Sequence, residues 1–265
     1  MATKFGDFSK GPKDLLGDDY SSSISLKCKK PAGPVAVTIE TERGGGGALS
    51  AKVGTKFAYA GFNVDKGQLK ADGSRVLETS VKPCPGCKVS FKAGKGADLC
   101  VDYTKGAFYA TSVLDVLDTS KISASASMGH PSGFTFGGAT VYGLAGKTGF
   151  TAYDVGLKYS QGPLLASLTT SGKLGTFNVA LKYKVNDEIT VASQTAHSSS
   201  KTCDVLAIGG LYKAEFGDVK AKIGSNGMFS AVLIKEIAPK VTIKASGAVS
   251  TSDFSNFTTG LGIEM

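Results

Sequence analysis

The chain has 265 residues, 42% of them hydrophobic, which is too long and too apolar for a disordered polymer. Thirty-five glycines, eight prolines and no tryptophan point to many tight turns and away from a helix-covered α/β enzyme. A formal charge of +8 favours anionic partners, whether phosphate compounds, nucleic acid or acidic membrane surfaces.

The first twenty residues, "MATKFGDFSKGPKDLLGDDY", hold no apolar core of seven or more residues, so they read neither as a secretory signal nor as a cleavable anchor. Four aspartates and no arginine also set them apart from a matrix-targeting peptide. Projected as a helix, Phe5, Phe8, Leu15 and Leu16 gather toward one side, with Lys10, Lys13 and Asp14 largely elsewhere. Gly11 and Pro12 are expected to break or kink that helix. Gly17 reads either as a hinge or as a plain helix terminator.

From Ser21 onward, period-two alternation is interrupted every dozen or so residues by Gly, Pro, Asn or Asp, the pattern of a hairpin meander. It divides into nineteen candidate strands. Val35, Val37 and Ile39 oppose Thr38 and Glu40; Leu49, Val53, Phe57 and Tyr59 oppose Ser50, Lys52 and Lys56; Val89 and Phe91 oppose Lys88, Ser90 and Lys92. Further on, Tyr153, Val155, Leu157 and Tyr159 oppose Asp154, Gly156 and Lys158, and "GTFNVALKYKVN" sets Phe177, Val179, Leu181, Tyr183 and Val185 against Asn178, Ala180, Lys182 and Lys184. Val219 and Ile223 face away from Lys220 and Lys222, Val241 and Ile243 from Lys240 and Lys244, and Phe257, Leu261 and Ile263 from Gly260 and Glu264. Residues 107–114, 205–212 and 228–236 are apolar on both parities.

Three short motifs invite chemistry and are better read as connections. "CPGC", Cys84 to Cys87, has no second ligand pair for a metal, and Pro85-Gly86 suits the centre of a type II turn; the turn ends could also approach closely enough for a reversible disulfide. "GLAGKTG", Gly143 to Gly149, lacks the phosphate-loop spacing because residue 141 is valine, and no helix follows. His130 and His197 have no nucleophile or carboxylate beside them in sequence, so neither is assigned a catalytic role.

No ordinary amphipathic helix after residue 20 is available to cover a sheet, and no run of about 18 apolar residues forms a transmembrane helix. Shared among nineteen strands, the remaining residues give about 13 for each strand and its turn, which suits a tilted membrane-spanning strand of about ten residues. Lipid then covers the apolar parity, and closure satisfies every backbone donor and acceptor in hydrocarbon. At about 4.8 Å spacing and about 40° tilt, nineteen strands close at a backbone diameter of roughly 38 Å, too wide for side chains to fill. The lysine-bearing parity therefore borders water.

These features resemble the mitochondrial porins, the voltage-dependent anion channel family, over essentially the whole chain. Nineteen is the strand number of that family's barrel, and the division of the alternation into nineteen leans on this resemblance. "FGDFSKGPKDLLGDDY" is similar to the family's amino-terminal helix, with Asp7, Lys10, Lys13 and Asp14 at its acidic, basic, basic and acidic positions. "PGCKVSF" resembles its Gly-Leu-Lys stretch and places Lys88 at the lysine linked to nucleotide binding. "TTGLGIEM" is similar to the sorting signal of mitochondrial β-barrels, through Thr258, Gly260, Ile263 and Met265. Cys87 replaces the family's leucine, Asp18 stands where animal members often carry a basic residue, and Pro12 is unusual. The family's membrane-facing glutamate on strand four has no clear counterpart in "NVDKGQLK".

The resemblance implies an all-β, 19-stranded transmembrane barrel over residues 21–265, with residues 1–20 as a helical segment folded into the lumen. It implies a voltage-dependent, weakly anion-selective channel of the mitochondrial outer membrane, passing ATP, ADP, phosphate and other small anions by diffusion. Lys10, Lys13 and Lys88 are the candidate phosphate contacts, Asp7 and Asp14 moderate the field, and no catalytic residue, cofactor, metal or specific nucleic acid is expected. Membrane lipids, the outer-membrane assembly machinery and further copies of the chain are the expected partners. A bacterial porin would carry a signal peptide and usually an even strand number. The channel subunit of the mitochondrial protein translocase would suit cationic presequences better with an acidic wall. A soluble β-rich binding protein would pair its apolar faces in water.

Overall fold

A computed structural model describes residues 3–45, 47–145, 148–198 and 201–265, and the side chains of these except 201–205 and 256. A 3-10 turn, Phe5–Asp7, and one α-helix, α1 (Lys10–Gly17), precede nineteen strands that form a single sheet. The first half comprises β1 (Ile24–Ala32), β2 (Val35–Arg43), β3 (Leu49–Tyr59), β4 (Phe62–Lys70), β5 (Arg75–Cys84), β6 (Cys87–Ala93), β7 (Ala97–Lys105), β8 (Phe108–Asp115), β9 (Lys121–Gly129) and β10 (Phe134–Gly143). The second comprises β11 (Gly149–Gln161), β12 (Leu164–Ser171), β13 (Thr176–Lys184), β14 (Ile189–Ser198), β15 (Lys201–Ala214), β16 (Gly217–Gly224), β17 (Met228–Ala238), β18 (Val241–Ser250) and β19 (Asp253–Glu264).

Sequential strands pair antiparallel all the way round, and β1 closes on β19 in parallel, from Ile24 opposite Leu261 to Lys27 opposite Glu264. Main-chain bonds of Met265 with Lys27 and Lys29 extend that seam past the end of β19. With both ends of the sheet paired, no strand keeps a free edge.

The two faces sort as the pleat dictates. Phe177, Leu181 and Tyr183 of β13 remain 42 to 45% exposed, while Ala180 on the opposite parity is 1% exposed. The same outward apolar parity recurs at Ile39, Val53, Leu69, Val155, Leu168, Val191, Ile208 and Leu261. A water-soluble chain would bury such a belt; here it girdles the barrel, where acyl chains complete its packing. The inward parity carries ion pairs instead, among them Lys52 with Glu40, Lys88 with Asp65 and Lys244 with Glu264. No helix among the described residues is long and apolar enough to cross a membrane.

The break in the amino-terminal segment falls before Gly11-Pro12, at Phe8 and Ser9, between the 3-10 turn and α1. Pro12 lies in the first turn of α1, where a missing N–H costs little and the fixed φ already suits a helix. Lys240 falls in the turn before β18 and not in the strand.

A charge on the outward face should be costly. Leu168→Arg is expected to lower folding stability in lipid vesicles by about 2–4 kcal/mol in urea titrations, against less than about 1 kcal/mol for Asn178→Arg on the neighbouring strand's lumen face.

Candidate functional site

The amino-terminal segment lies inside the barrel and lines part of its bore. Phe8, Pro12, Leu15 and Leu16 are buried against the wall. Phe5 and Phe8 meet edge to face at 5.2 Å and press on β10 and β11, and Leu15 and Leu16 pack with Ala192 of β14 and Ala207 and Leu211 of β15. The close approach needs bare backbone: a Cβ at Gly209 would stand 2.8 Å from Leu16 and 2.5 Å from the Ala221 carbonyl oxygen. Burying Phe8, Leu15 and Leu16 contributes on the order of 5 kcal/mol.

Polar pins hold the segment along its length. Lys4 forms an ion pair with Asp102 of β7 at 3.7 Å, and the Tyr109 hydroxyl donates to the same carboxylate at 2.8 Å. Ser127 of β9 donates to the Thr3 carbonyl, and Ser9 and Ser167 of β12 share a buried hydrogen bond of 3.0 Å. At the far end Lys222 of β16 donates to the Leu16 carbonyl at 2.6 Å and stands 4.2 Å from the centre of the Tyr20 ring. An ammonium from the wall thus satisfies a carbonyl of the last helical turn and complements the helix dipole.

Asp19 is the strongest of these anchors. It adopts a left-handed conformation, φ 74°, which turns the chain from α1 toward β1 and sets its carboxylate between Lys220 of β16 at 2.5 Å and Lys244 of β18 at 2.8 Å. Burial pushes its pKa up, but the hydrogen bonds and charges of the two lysines outweigh that and leave it below the usual carboxylate range. Tyr20 beside it is raised to about 12 by burial and by the Asp19 charge, so it stays neutral near pH 7. Lys244 continues to Glu264 at 3.2 Å, and Glu264 also meets Lys27 and Lys29 of β1 at 3.8 and 3.9 Å. One charge network therefore ties the segment to the parallel seam.

The residues singled out from sequence sit on three parts of this lumen. Asp7, Lys10 and Lys13 are exposed and Asp14 half-exposed on the segment's water side, and none takes part in an ion pair among the described residues. Lys88 lies on β6, away from α1, and donates to Asp65 at 3.1 Å. That contact also places the acidic residue of strand four: Asp65 faces the lumen. Gly17 is the exposed last residue of α1, without a positive φ. On β19, Thr258 and Gly260 share the lumen parity of Glu264 while Ile263 lies on the lipid parity opposite Leu26 and Ile243, and Met265 ends the chain at the seam.

Pro85 and Gly86 form the β5–β6 turn, with Gly86 at φ 82° and Cys84 directly opposite Cys87 as free thiols. Of "GLAGKTG", residues 146 and 147 lie outside the described residues, while Gly143 ends β10 and Gly149 begins β11. His130 contacts Ser132 within its own turn. Sequence reasoning put Lys220, Lys222 and Lys244 on the lumen parity but missed their partners Asp19 and Leu16. The available signal was the double apolar parity of residues 205–212, whose inward Ala207, Gly209 and Leu211 are the landing surface of α1.

Asp19→Asn should loosen the segment, with amide exchange over residues 10–17 at least about tenfold faster at pH 7. Because the Asp19 pKa is lowered in the folded state, its anchoring is complete above the ordinary value of 3.8 and is lost as pH falls through the lower folded value. The native protein should show an acid-induced acceleration of exchange below that pH, and the variant should lack that component.

A family model described as "Eukaryotic porin" matches residues 2–262. The mitochondrial outer membrane protein porin 2 of Arabidopsis thaliana is 24% identical over 255 residues, covering 93% of this chain and 91% of its own. The mitochondrial outer membrane protein porin of 34 kDa from Solanum tuberosum is 25% identical over 271 residues, with the same coverage of the two chains. Among solved structures, a mutant of the Rh. blastica porin aligns over 91% of this chain and 96% of its own at 12% identity and a TM-score of 0.49. With a family match over nearly its full length and a closed nineteen-stranded barrel enclosing an amino-terminal helix, the chain belongs to the eukaryotic porins, the non-enzymatic β-barrel channels of the mitochondrial outer membrane.

Proposed function

We propose that this channel is weakly anion-selective and voltage-dependent, and that it passes ATP, ADP, inorganic phosphate and other small anions by diffusion. The observation that carries the reading is the placement of Lys10 and Lys13, exposed on the lumen side of the segment without an acidic partner, within a lumen whose wall lysines share the parity opposite lipid. A positive wall around water raises the local anion concentration without a tight site, and weak holding suits conduction. Lys10 and Lys13 are the leading phosphate contacts. Lys88 joins them only by yielding its bond to Asp65, while Asp7 and Asp14 temper the field.

Residues 1–20 act as the pore-lining segment and 21–265 as the barrel, with Gly17 as the point about which the segment turns. Voltage closure requires charge to move through the membrane field at about 2.3 kcal/mol per elementary charge per 100 mV. Thr258, Gly260, Ile263 and Met265 serve as the signal read by the outer-membrane assembly machinery, and the lipid-facing wall is where copies of the chain associate.

In planar bilayers with a tenfold KCl gradient, the reversal potential is expected to have the sign of chloride preference. Lys10→Glu combined with Lys13→Glu should move it toward potassium. Cation preference in the native channel would contradict the proposed lumen charge, and absence of conductance would remove the pore reading altogether.

A further inference from the structure

Strand β4 breaks its alternation once. Val64 stands opposite Phe57 of β3 and Thr79 of β5, and Gly67 opposite Thr55 and Leu77; between them, two residues of β4 face the single residue Lys56 of β3, while on the other side Lys66 meets Glu78 and Asp65 is left over. Asp65 is therefore a bulge residue. Its carboxylate reaches Lys88 in the lumen, and Lys66 lies on the lumen parity with Glu78, so two consecutive side chains enter the bore where strict alternation would admit one.

The bulge sits beside a lumen cavity of about 280 Å³ whose charged and amide lining is Glu40, Lys52, Lys56, Asp65, Lys66 and Gln68. Both acids are already engaged: Glu40 holds Lys52 at 2.7 Å and Asp65 holds Lys88 at 3.1 Å. Lys56 and Lys66 are exposed and have no ion pair among the described residues, Glu78 opposite Lys66 pairing with Lys92 and Asp65 with Lys88, so two ammonium groups and one amide address the same space. The volume leaves room for a phosphate or diphosphate, and the pocket opens to the bore, where the rest of a larger anion can extend. The contacts of the amino-terminal segment described above lie on β7 to β18, so β2 to β4 remain open to the bore.

We propose that this pocket over the β4 bulge is a phosphate-binding subsite of the lumen, in which Lys56 and Lys66 hold inorganic diphosphate or the phosphate tail of a passing nucleotide while Gln68 donates to a further oxygen. It rests on the reading of the pore as an anion pathway and adds one place where phosphate pauses. Lysine suits that role: it offers a mobile point charge with three donors, and two solvent-exposed contacts of this kind give weak, short-lived binding.

The test uses the full-length channel in planar bilayers at about 0.1 M KCl, where screening leaves local charge effective over about 10 Å. Inorganic diphosphate, ATP and adenosine are titrated, and the saturable fall in single-channel conductance is read. Diphosphate and ATP should saturate at similar concentrations and adenosine should have no effect. Lys56→Met with Lys66→Met should raise both half-saturating concentrations about tenfold. Lys182→Met with Lys213→Met removes two lumen lysines that likewise have no ion pair among the described residues, on the opposite wall, and should raise them far less. Equal shifts for the two pairs, or none for the first, would overturn the subsite while conductance and reversal potential kept the anion pathway intact. An effect of ATP without one of diphosphate would also overturn it, since the base would then be the recognised group. A native channel without anion preference would remove the pathway reading on which it rests.

Discussion

Everything in this molecule depends on closing the sheet without leaving a polar edge in hydrocarbon. A meander of antiparallel hairpins with an odd number of strands brings its first and last strands together pointing the same way, so β1 and β19 must pair in parallel. Parallel ladders are slightly weaker per residue than antiparallel ones. The seam is reinforced on its lumen side, where Glu264 gathers Lys27, Lys29 and Lys244, and along its main chain, where Met265 continues the bonding past the last strand. Lys244 in turn grips Asp19, so the contact that shuts the barrel also holds the root of the segment inside it. Closure and lumen architecture are coupled through one lysine.

The barrel was legible because the membrane imposes a period. Phe177, Leu181 and Tyr183 could be placed outside, and Lys182 and Lys184 inside, from parity alone, since lipid and water face opposite sides of the same strand. Legibility failed where a third environment intervened. Residues 205–212 lost their alternation because α1 covers their inner face, so Ala207 and Leu211 are apolar for the helix and Ile208 for the lipid. Register at strand four could not be read from "NVDKGQLK" because one extra residue lies within it, and a bulge leaves no compositional mark beyond two adjacent charges. Asp19 pairs with residues about 200 positions away, a distance over which a single sequence carries no signal.

The lumen charge is organised by subtraction. Several wall acids are held by lysines of nearby strands, as Glu40 of β2 is by Lys52 of β3 and Asp65 of β4 by Lys88 of β6. Paired charges contribute little to the field felt by a passing ion, because their potentials largely cancel beyond the screening length. The effective charge of the bore is then set by the groups left over, lysines tempered by Asp7 and Asp14. Those on the amino-terminal segment, Lys10 and Lys13, and those over the β4 bulge, Lys56 and Lys66, occupy different parts of the bore.

That arrangement separates two demands that would conflict in one site. The amino-terminal segment must remain attached, so its contacts are numerous and partly dry: Phe8 without exposed surface, the shared bond of Ser9 and Ser167, the clasp of Asp19. Passing anions must leave as readily as they arrive, so the groups that meet them are exposed, solvated lysines. Burial sets strength in both cases: a carboxylate screened from water between two ammonium groups anchors, and an ammonium left in water only slows. The same residue type, lysine, serves both ends of that scale, and its position relative to Asp19, Glu264, Glu40 and Asp65 decides which.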